Sequence, residues 1–308
     1  MSPYNLNYTK CLSLLFLFYF SGILQAQELY IITDPASNIP KNALSLRLNT
    51  MLMPMGQNME GMKPGETGFR ISPELAYGVT KNLMVKTAVY ASDMFQPAFR
   101  FEGASVYAKY RFYSRDDFHK HFRVAGFGKL ALSRNPYVIE RMVMHENDGS
   151  GGNVPHEQLV FNGSDEQMLA GNHSGWQVGV VATQLVNKLA LSGTVSGIGR
   201  FNNTRYPILP SDVQQSLEYS FSAGYLLFPR QYDSYGQTNL NLYVEWMGQQ
   251  AFGKPTGFLD MAPAIQLIFN SKSRIDLGYR FQVGGNMRRF NEQQWLLRFE
   301  YNWLQAFK

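Results

Sequence analysis

Period-two alternation of apolar and polar residues is the feature that most constrains this chain. Successive side chains of a strand point to opposite faces, so such a pattern makes a sheet with one oily face. Leu44, Leu46, Leu48, Thr50 and Leu52 alternate with Ser45, Arg47, Asn49 and Met51. Leu217, Tyr219, Phe221, Ala223, Tyr225 and Leu227 alternate with Glu218, Ser220, Ser222 and Gly224. The pattern returns at Leu240, Leu242, Val244 and Trp246, at Ile275, Leu277, Tyr279, Phe281 and Val283, and at Trp295, Leu297, Phe299, Tyr301 and Trp303.

Read throughout, the pattern predicts strands at 43–55, 68–79, 82–92, 101–113, 120–133, 174–186, 188–199, 214–228, 237–248, 257–269, 274–285 and 293–305. Those at 174–186 and 257–269 alternate less cleanly. Most reach the roughly 9–11 residues that a tilted membrane strand needs. Short links at 80–81, 114–119, 187–188, 229–236 and 270–273 take turns with longer ones at 56–67, 93–100, 134–173, 200–213, 249–256 and 286–292. Outer-membrane barrels show that rhythm, with short periplasmic turns and long outer loops. The expected fold is all-β: a closed antiparallel up-and-down transmembrane β-barrel of about 12 strands, with both chain ends on the short-turn side. A secreted β-sandwich or soluble barrel is the alternative, and it would bury the oily face instead of presenting it to lipid.

The first residues agree with export. Lys10, an apolar run from Cys11 to Leu24 and the exit Leu24-Gln25-Ala26-Gln27 have the order of a secretory leader, with cleavage expected after Ala26. The expected division is a leader at 1–26, an N-terminal periplasmic segment at 27–42 and a barrel at 43–308 with a long outer loop at 134–173. Cys11 is the sole cysteine, so the processed chain would lack thiols, disulfides and cysteine metal ligands. Net charge is +5, one unit lower without Lys10, with acids and bases interleaved. That balance speaks against a nucleic-acid partner. Gly 27, Tyr 18 and Phe 22 accompany a mean hydropathy of −0.24, too polar for a helical membrane protein. A barrel resolves the tension, because only alternate positions need be apolar. The expected location is the outer membrane of a Gram-negative-type cell, with its lipid as a partner.

Aromatic residues gather near strand ends, as at Tyr107, Tyr110, Phe112 and Tyr113 or Trp295 and Trp303, which suits rings at headgroup level. The end from Phe299 to Phe307 resembles the terminal-strand signal read by the barrel-assembly machinery, a further expected partner, although Lys308 follows it. The hairpin from Arg70-Ile71-Ser72-Pro73-Glu74-Leu75-Ala76-Tyr77-Gly78 through Val79-Thr80-Lys81-Asn82-Leu83-Met84-Val85, with the strand Gly103 to Phe112, resembles a known family. It is similar to the outer-membrane transporter-like barrels grouped under the meta-pathway of phenol degradation, distant relatives of the long-chain fatty-acid channels. The resemblance implies a barrel that passes small or hydrophobic molecules. Only 27–42 precede the first strand, so an N-terminal plug of the fatty-acid-channel kind is not expected.

With apolar alternates facing lipid, the lumen would be lined by Arg47, Arg70, Glu74, Lys86, Lys109, Arg111, Arg123, Lys129, Glu218, Glu245, Asp276, Arg280, Arg298 and Glu300. Both signs occur, so pairing is expected over a simple ion-selective field; the bland reading is that these charges only brace a filled interior. About 12 strands leave a narrow bore, which the loop at 134–173 would obstruct by folding inward.

Methionine is concentrated at one end. Met51, Met53, Met55, Met59 and Met62 cluster at the first strand's outer end, and Met94, Met142, Met144, Met168 and Met287 fall in other outer loops, beside His145, His156 and His173. Thioethers suit Cu(I), so a soft-metal site at Met51, Met53, Met55, Met59, Met62 and His145 is one reading; an adaptable apolar filler is the other. Asp116, Asp117, His119 and His121 read as a solvated turn, and Gly149 to Gly152 lacks the lysine of a phosphate loop. No nucleophile lies beside a base, so neither an enzyme nor a cofactor is expected. Two functions remain: a transporter or channel-like barrel for a small or hydrophobic solute, or a non-conducting barrel whose outer loops capture soft metal ions.

Overall fold

The computed structural model describes residues 30–54, 67–94, 98–117, 120–134, 138–147, 153–162, 164–201, 213–229, 236–304 and 306, with backbone alone at 138–147 and 153–162. Among the described residues fourteen strands are present: β1 Leu44–Pro54, β2 Thr67–Gly78, β3 Leu83–Ser92, β4 Arg100–Asp117, β5 Lys120–Ser133, β6 Val138–Asn147, β7 Asn153–Asn162, β8 Gly175–Val186, β9 Leu189–Arg200, β10 Gln215–Phe228, β11 Asn239–Ala251, β12 Gly257–Phe269, β13 Ser273–Gly285 and β14 Gln293–Trp303. Twelve of them form one closed antiparallel barrel, in the ring order β1-β14-β13-β12-β11-β10-β9-β8-β5-β4-β3-β2. The seam runs from Leu44 opposite Trp303 to Leu52 opposite Trp295, so the barrel has no free edge there.

Two features depart from the sequence expectation. The loop at 134–173 holds a two-stranded hairpin, β6 and β7, that stays apart from the barrel. Period two could not reveal it, because each alternate set of Val138–Asn147 mixes apolar and charged residues and Asn153–Asn162 contains Pro155. The link at 114–119 is mostly strand: β4 continues to Asp117 and β5 begins at Lys120, in a long hairpin at the short-turn end.

The short turns follow residue chemistry. Asn187 has φ 52, and Asn270 and Ser271 have φ 50 and 53, the left-handed geometry that tight hairpins require and asparagine tolerates. Thr80 Oγ1 accepts from the amides of Asn82 and Leu83 at 3.1 and 2.9 Å.

The wall sorts its side chains as the pattern requires. On β14, Trp295, Leu297, Phe299 and Trp303 are exposed outward while Gln294, Leu296, Arg298 and Glu300 are buried inward. Outward residues across the barrel, among them Leu48, Val106, Leu132, Val195, Phe221 and Ile265, make an apolar girdle of the kind that lipid covers. The less regular strands β8 and β12 keep apolar residues on the inner face too, at Val181 and Ala264. Those inner apolar positions are where other parts of the chain pack.

Candidate functional site

The lumen holds two segments of the protein's own chain, one at each end. The lower, residues 30–43, crosses the short-turn end. Its apolar residues cover the inner apolar wall: Tyr30 and Ile31 pack on Tyr243, Ala264 and Leu296, Ala36 on Ala125 and Val181, and Ile39 on Ala76, Met84 and Tyr107. The segment expected on the periplasmic side thus enters the lumen from Tyr30 onward. Extended chain advances about 3.3 Å per residue, so this short stretch spans a narrow bore without folding into a domain.

Charged wall residues hold that segment largely by its backbone. Glu245 accepts the amides of Ile31, Ile32 and Thr33 at 2.9, 3.0 and 2.8 Å and the Thr33 hydroxyl at 2.7 Å. Arg298 donates to the carbonyls of Tyr30, at 2.8 Å, and Ile31. Lys109 donates to the carbonyls of Pro35 and Ser37 at 2.5 and 2.8 Å, and Thr183 accepts the Ala36 amide at 2.8 Å. Asp34 is the one acid of the segment; it pairs with Arg47 at 3.2 Å and with Lys86. Burial would raise the Asp34 carboxyl, but the ammonium groups of Lys86 and Lys109 hold it below its usual value. Gly78 shows how close the passage is, since a Cβ there would lie 1.9 Å from the Pro40 carbonyl oxygen.

Around this segment the wall charges form a ladder set by strand register. Arg47 faces Glu300 on one side and Glu74 on the other, and Glu300 faces Arg274. The contacts run Lys86–Glu74 3.5 Å, Arg47–Glu74 3.7 Å, Arg47–Glu300 2.5 Å, Arg274–Glu300 2.7 Å and Arg274–Asp276 3.5 Å. Removing a buried charge from water is tolerable only with such partners.

The upper segment, residues 164–174, turns in from the long loop. Glu166 meets Arg280 and Arg289, each at 3.1 Å, and Asp260 holds the same two guanidiniums at 2.6 and 2.7 Å. Arg289 also lies 3.8 Å over the Phe258 ring. Arg70 pairs with Glu102 at 2.6 Å and donates to Asn172 at 2.6 Å. Gln167 and Gln249 exchange two hydrogen bonds, both 2.9 Å. His173 is buried; that burial, with Arg200 and Arg70 nearby, holds its imidazole well below its ordinary value and hence neutral. Gly171 has φ 103, and a Cβ there would be 2.7 Å from Glu102 Oε2.

Between the two segments lies a cavity of about 280 Å3. Residues 31–34 floor it, 166–170 roof it, and Lys129, Glu218, Tyr107, Phe127 and Ile198 are among its walls. Glu218 accepts from Gln177 and Gln249 at 2.6 and 2.8 Å. Of the residues expected in the lumen, Arg47, Glu74, Lys86, Lys109, Glu245, Asp276, Arg298 and Glu300 surround the lower segment, Arg70 and Arg280 the upper, and Lys129 and Glu218 the cavity. Arg111 and Arg123 sit at the short-turn rim, where Arg111 donates to the Lys81 carbonyl at 2.8 Å and Arg123 to Ser37 Oγ at 3.0 Å.

Asp34, Glu102, Glu166, Asp260, Arg274 and Arg289 escaped the sequence reading. Asp260 and Arg274 occupy inward alternates of β12 and β13, so period two held a signal for them. Asp34, Glu166 and Arg289 lie outside the strands, where no periodicity reports. Of the candidate soft-metal ligands, Met53 is fully buried and Met51 packs against the Tyr30 cluster. Met55, Met59, Met62 and the His145 side chain lie outside the described residues. Among the described residues no group of three His, Cys, Asp or Glu is placed to hold a metal.

This is the architecture of an outer-membrane β-barrel. The fold matches an outer-membrane channel from Pseudomonas putida F1 with a TM-score of 0.52 at 12% identity, over 88% of this chain and 100% of that one. The KdgM porin (TM-score 0.44, 6% identity, 83% of this chain and 98% of that one) and the CymD monoaromatic hydrocarbon channel (0.39, 11%, 91% and 94%) are also similar. No family model and no curated protein matches the chain. At these identities the likeness concerns the fold, which is the one that the resemblance at 70–85 and 103–112 implies.

Proposed function

We propose that the protein is an outer-membrane channel for small solutes, in which passage runs through an interior chamber bounded by the chain itself. The cavity of about 280 Å3 between residues 31–34 and 166–170 carries this reading. Protein interiors pack closely, and a barrel serving only as a structural element would fill that space with side chains. The outward apolar girdle and the leader-like sequence at 1–26 support placement in the outer membrane. Apolar groups such as Phe127, Ile198 and Met247 on the chamber wall support a solute with an apolar part.

Both inward segments obstruct the straight path, so conduction at rest is expected to be small. Purified protein reconstituted in planar bilayers should give low but measurable unitary currents. Glu245→Ala, which leaves the amides of Ile31, Ile32 and Thr33 without their carboxylate, should raise them several-fold. Electrical silence of both proteins, together with exclusion of small sugars in liposome swelling, would sink the proposal.

A further inference from the structure

Most charges that reach the lumen are spoken for by one another or by the two inward segments. Lys129 is different. It projects from β5 into the chamber, and no ion pair or hydrogen bond joins it to another described residue. Its ammonium group lies 5.9 Å from the Tyr90 ring centroid and within electrostatic reach of Glu218 and Glu74, without a direct contact to either. Directly across the β4–β5 ladder stands Tyr107, which is 8% exposed. Tyr107 also lines this chamber, and its buried hydroxyl has no hydrogen-bond partner among the described residues. Cβ atoms of residues opposed in this way lie about 4.5–5.5 Å apart, so the two polar tips can address one group. A half-buried ammonium without a direct partner and a buried unpaired phenol are both relieved by a shared acceptor.

Lys86, 4.5 Å over the Tyr107 ring, and Gln177, opposite Lys129, are their polar ladder neighbours, and the rest of the adjoining wall is largely apolar. Phe127 stacks on Tyr107 at 5.6 Å, and Ile198 and Leu169 form a small cluster with Ala131. The two acids nearby make their direct contacts elsewhere, Glu74 with Arg47 and Lys86 and Glu218 with Gln177 and Gln249, and reach Lys129 only through space. A cavity of about 150 Å3 admits benzene, and this chamber is larger, at about 280 Å3. We infer that the chamber is a binding site for a small monocarboxylate with an aromatic or branched apolar body, its carboxylate taken by Lys129 and Tyr107 together. The inference deepens the channel reading and rests on it for its biological purpose, though its test does not need conduction.

Benzoate and the neutral benzyl alcohol serve as probes, titrated calorimetrically into the full barrel in detergent micelles after long equilibration. Benzoate should bind saturably at millimolar concentration and more tightly than benzyl alcohol. Lys129→Met should weaken benzoate by about tenfold or more and Tyr107→Phe by about threefold, with benzyl alcohol unchanged. Heat-modifiable gel mobility checks that each variant is folded. Benzyl alcohol binding as tightly as benzoate, benzylamine binding better than benzoate, an unaltered Lys129→Met, or no saturable binding because the chamber takes water alone would each overturn the inference. Conduction without benzoate binding would leave the channel standing and remove this site. Lys129-dependent benzoate binding in an electrically silent barrel would do the reverse.

Discussion

The two segments inside the barrel are held by different chemistry. The lower one offers mainly its backbone: amides of Ile31, Ile32 and Thr33 to Glu245, and carbonyls of Tyr30, Ile31, Pro35 and Ser37 to Arg298 and Lys109. The upper one is also gripped by its backbone, at Ser164, Glu166, Gln167 and Gly171, but adds more ion pairs of its own, Glu166 to Arg280 and Arg289, and the bond from Arg70 to Asn172. Apart from Asp34, which pairs with Arg47 and Lys86, the lower segment depends mostly on the wall that grips its backbone. A segment whose own carboxylate closes an ion-pair cluster can be loosened by one substitution within itself. The asymmetry teaches that the short-turn end is built as a fixture and the outer end as a latch.

The largest expected effect tests the fixture. Glu245→Ala removes the acceptor of three amides and a hydroxyl and should destabilise the seated segment by about 3–5 kcal/mol. Produced from residue 27, the chain lacks cysteine, so a Ser37→Cys reporter can read this by maleimide labelling. Ser37 is buried, and its labelling should accelerate strongly in the Glu245→Ala background. Slow labelling there would mean that the segment is not held as described.

Glu166→Gln comes next and addresses the latch. It takes away two ion pairs while Asp260 still holds Arg280 and Arg289, so a cost of about 1–3 kcal/mol is expected. Unitary current should rise while labelling at position 37 stays slow. If both ends loosened together, the distinction between them would fail.

The pH dependence of His173 is a smaller effect. Its imidazole resists protonation in the folded protein, so below its ordinary value of 6.5 the unfolded chain binds the extra proton. The stability is complete above that value and declines as pH falls from it, by at most about 1.4 kcal/mol per pH unit. Urea titrations from neutral to mildly acidic pH should show this slope, and His173→Gln should flatten it. The smallest change is expected from Asn38→Ala, which loses one side-chain bond to the Asn82 carbonyl at 2.6 Å. A cost of about 1 kcal/mol or less, with labelling at position 37 near the parent rate, is the signature of a segment that does not lean on its side chains.

Much of the barrel was legible because a lipid-facing wall forces apolar residues to every second position, and chain closure forces that rule on every strand. The strands carrying Leu217 to Leu227 and Trp295 to Trp303 announce themselves in this way. Where the rule weakens, at Val181 on β8 and Ala264 on β12, the inner face is apolar because the lower segment covers it. That irregularity was the available trace of the inward segment, and it looked like a poor strand.

The linear sequence by itself determined the sheet: which residues face lipid, which face inward, and where Asn187 and Asn270 turn the chain, since these follow from local sterics and a period of two. It could not say that Glu245 would grip Ile31, or that Glu166 would meet Arg289. Such contacts join residues more than a hundred positions apart across a lumen whose width and register exist only once the barrel has closed. The chamber with Lys129 and Tyr107 on its wall belongs to that second kind of fact, because strands place the two side chains but only the two inward segments enclose them.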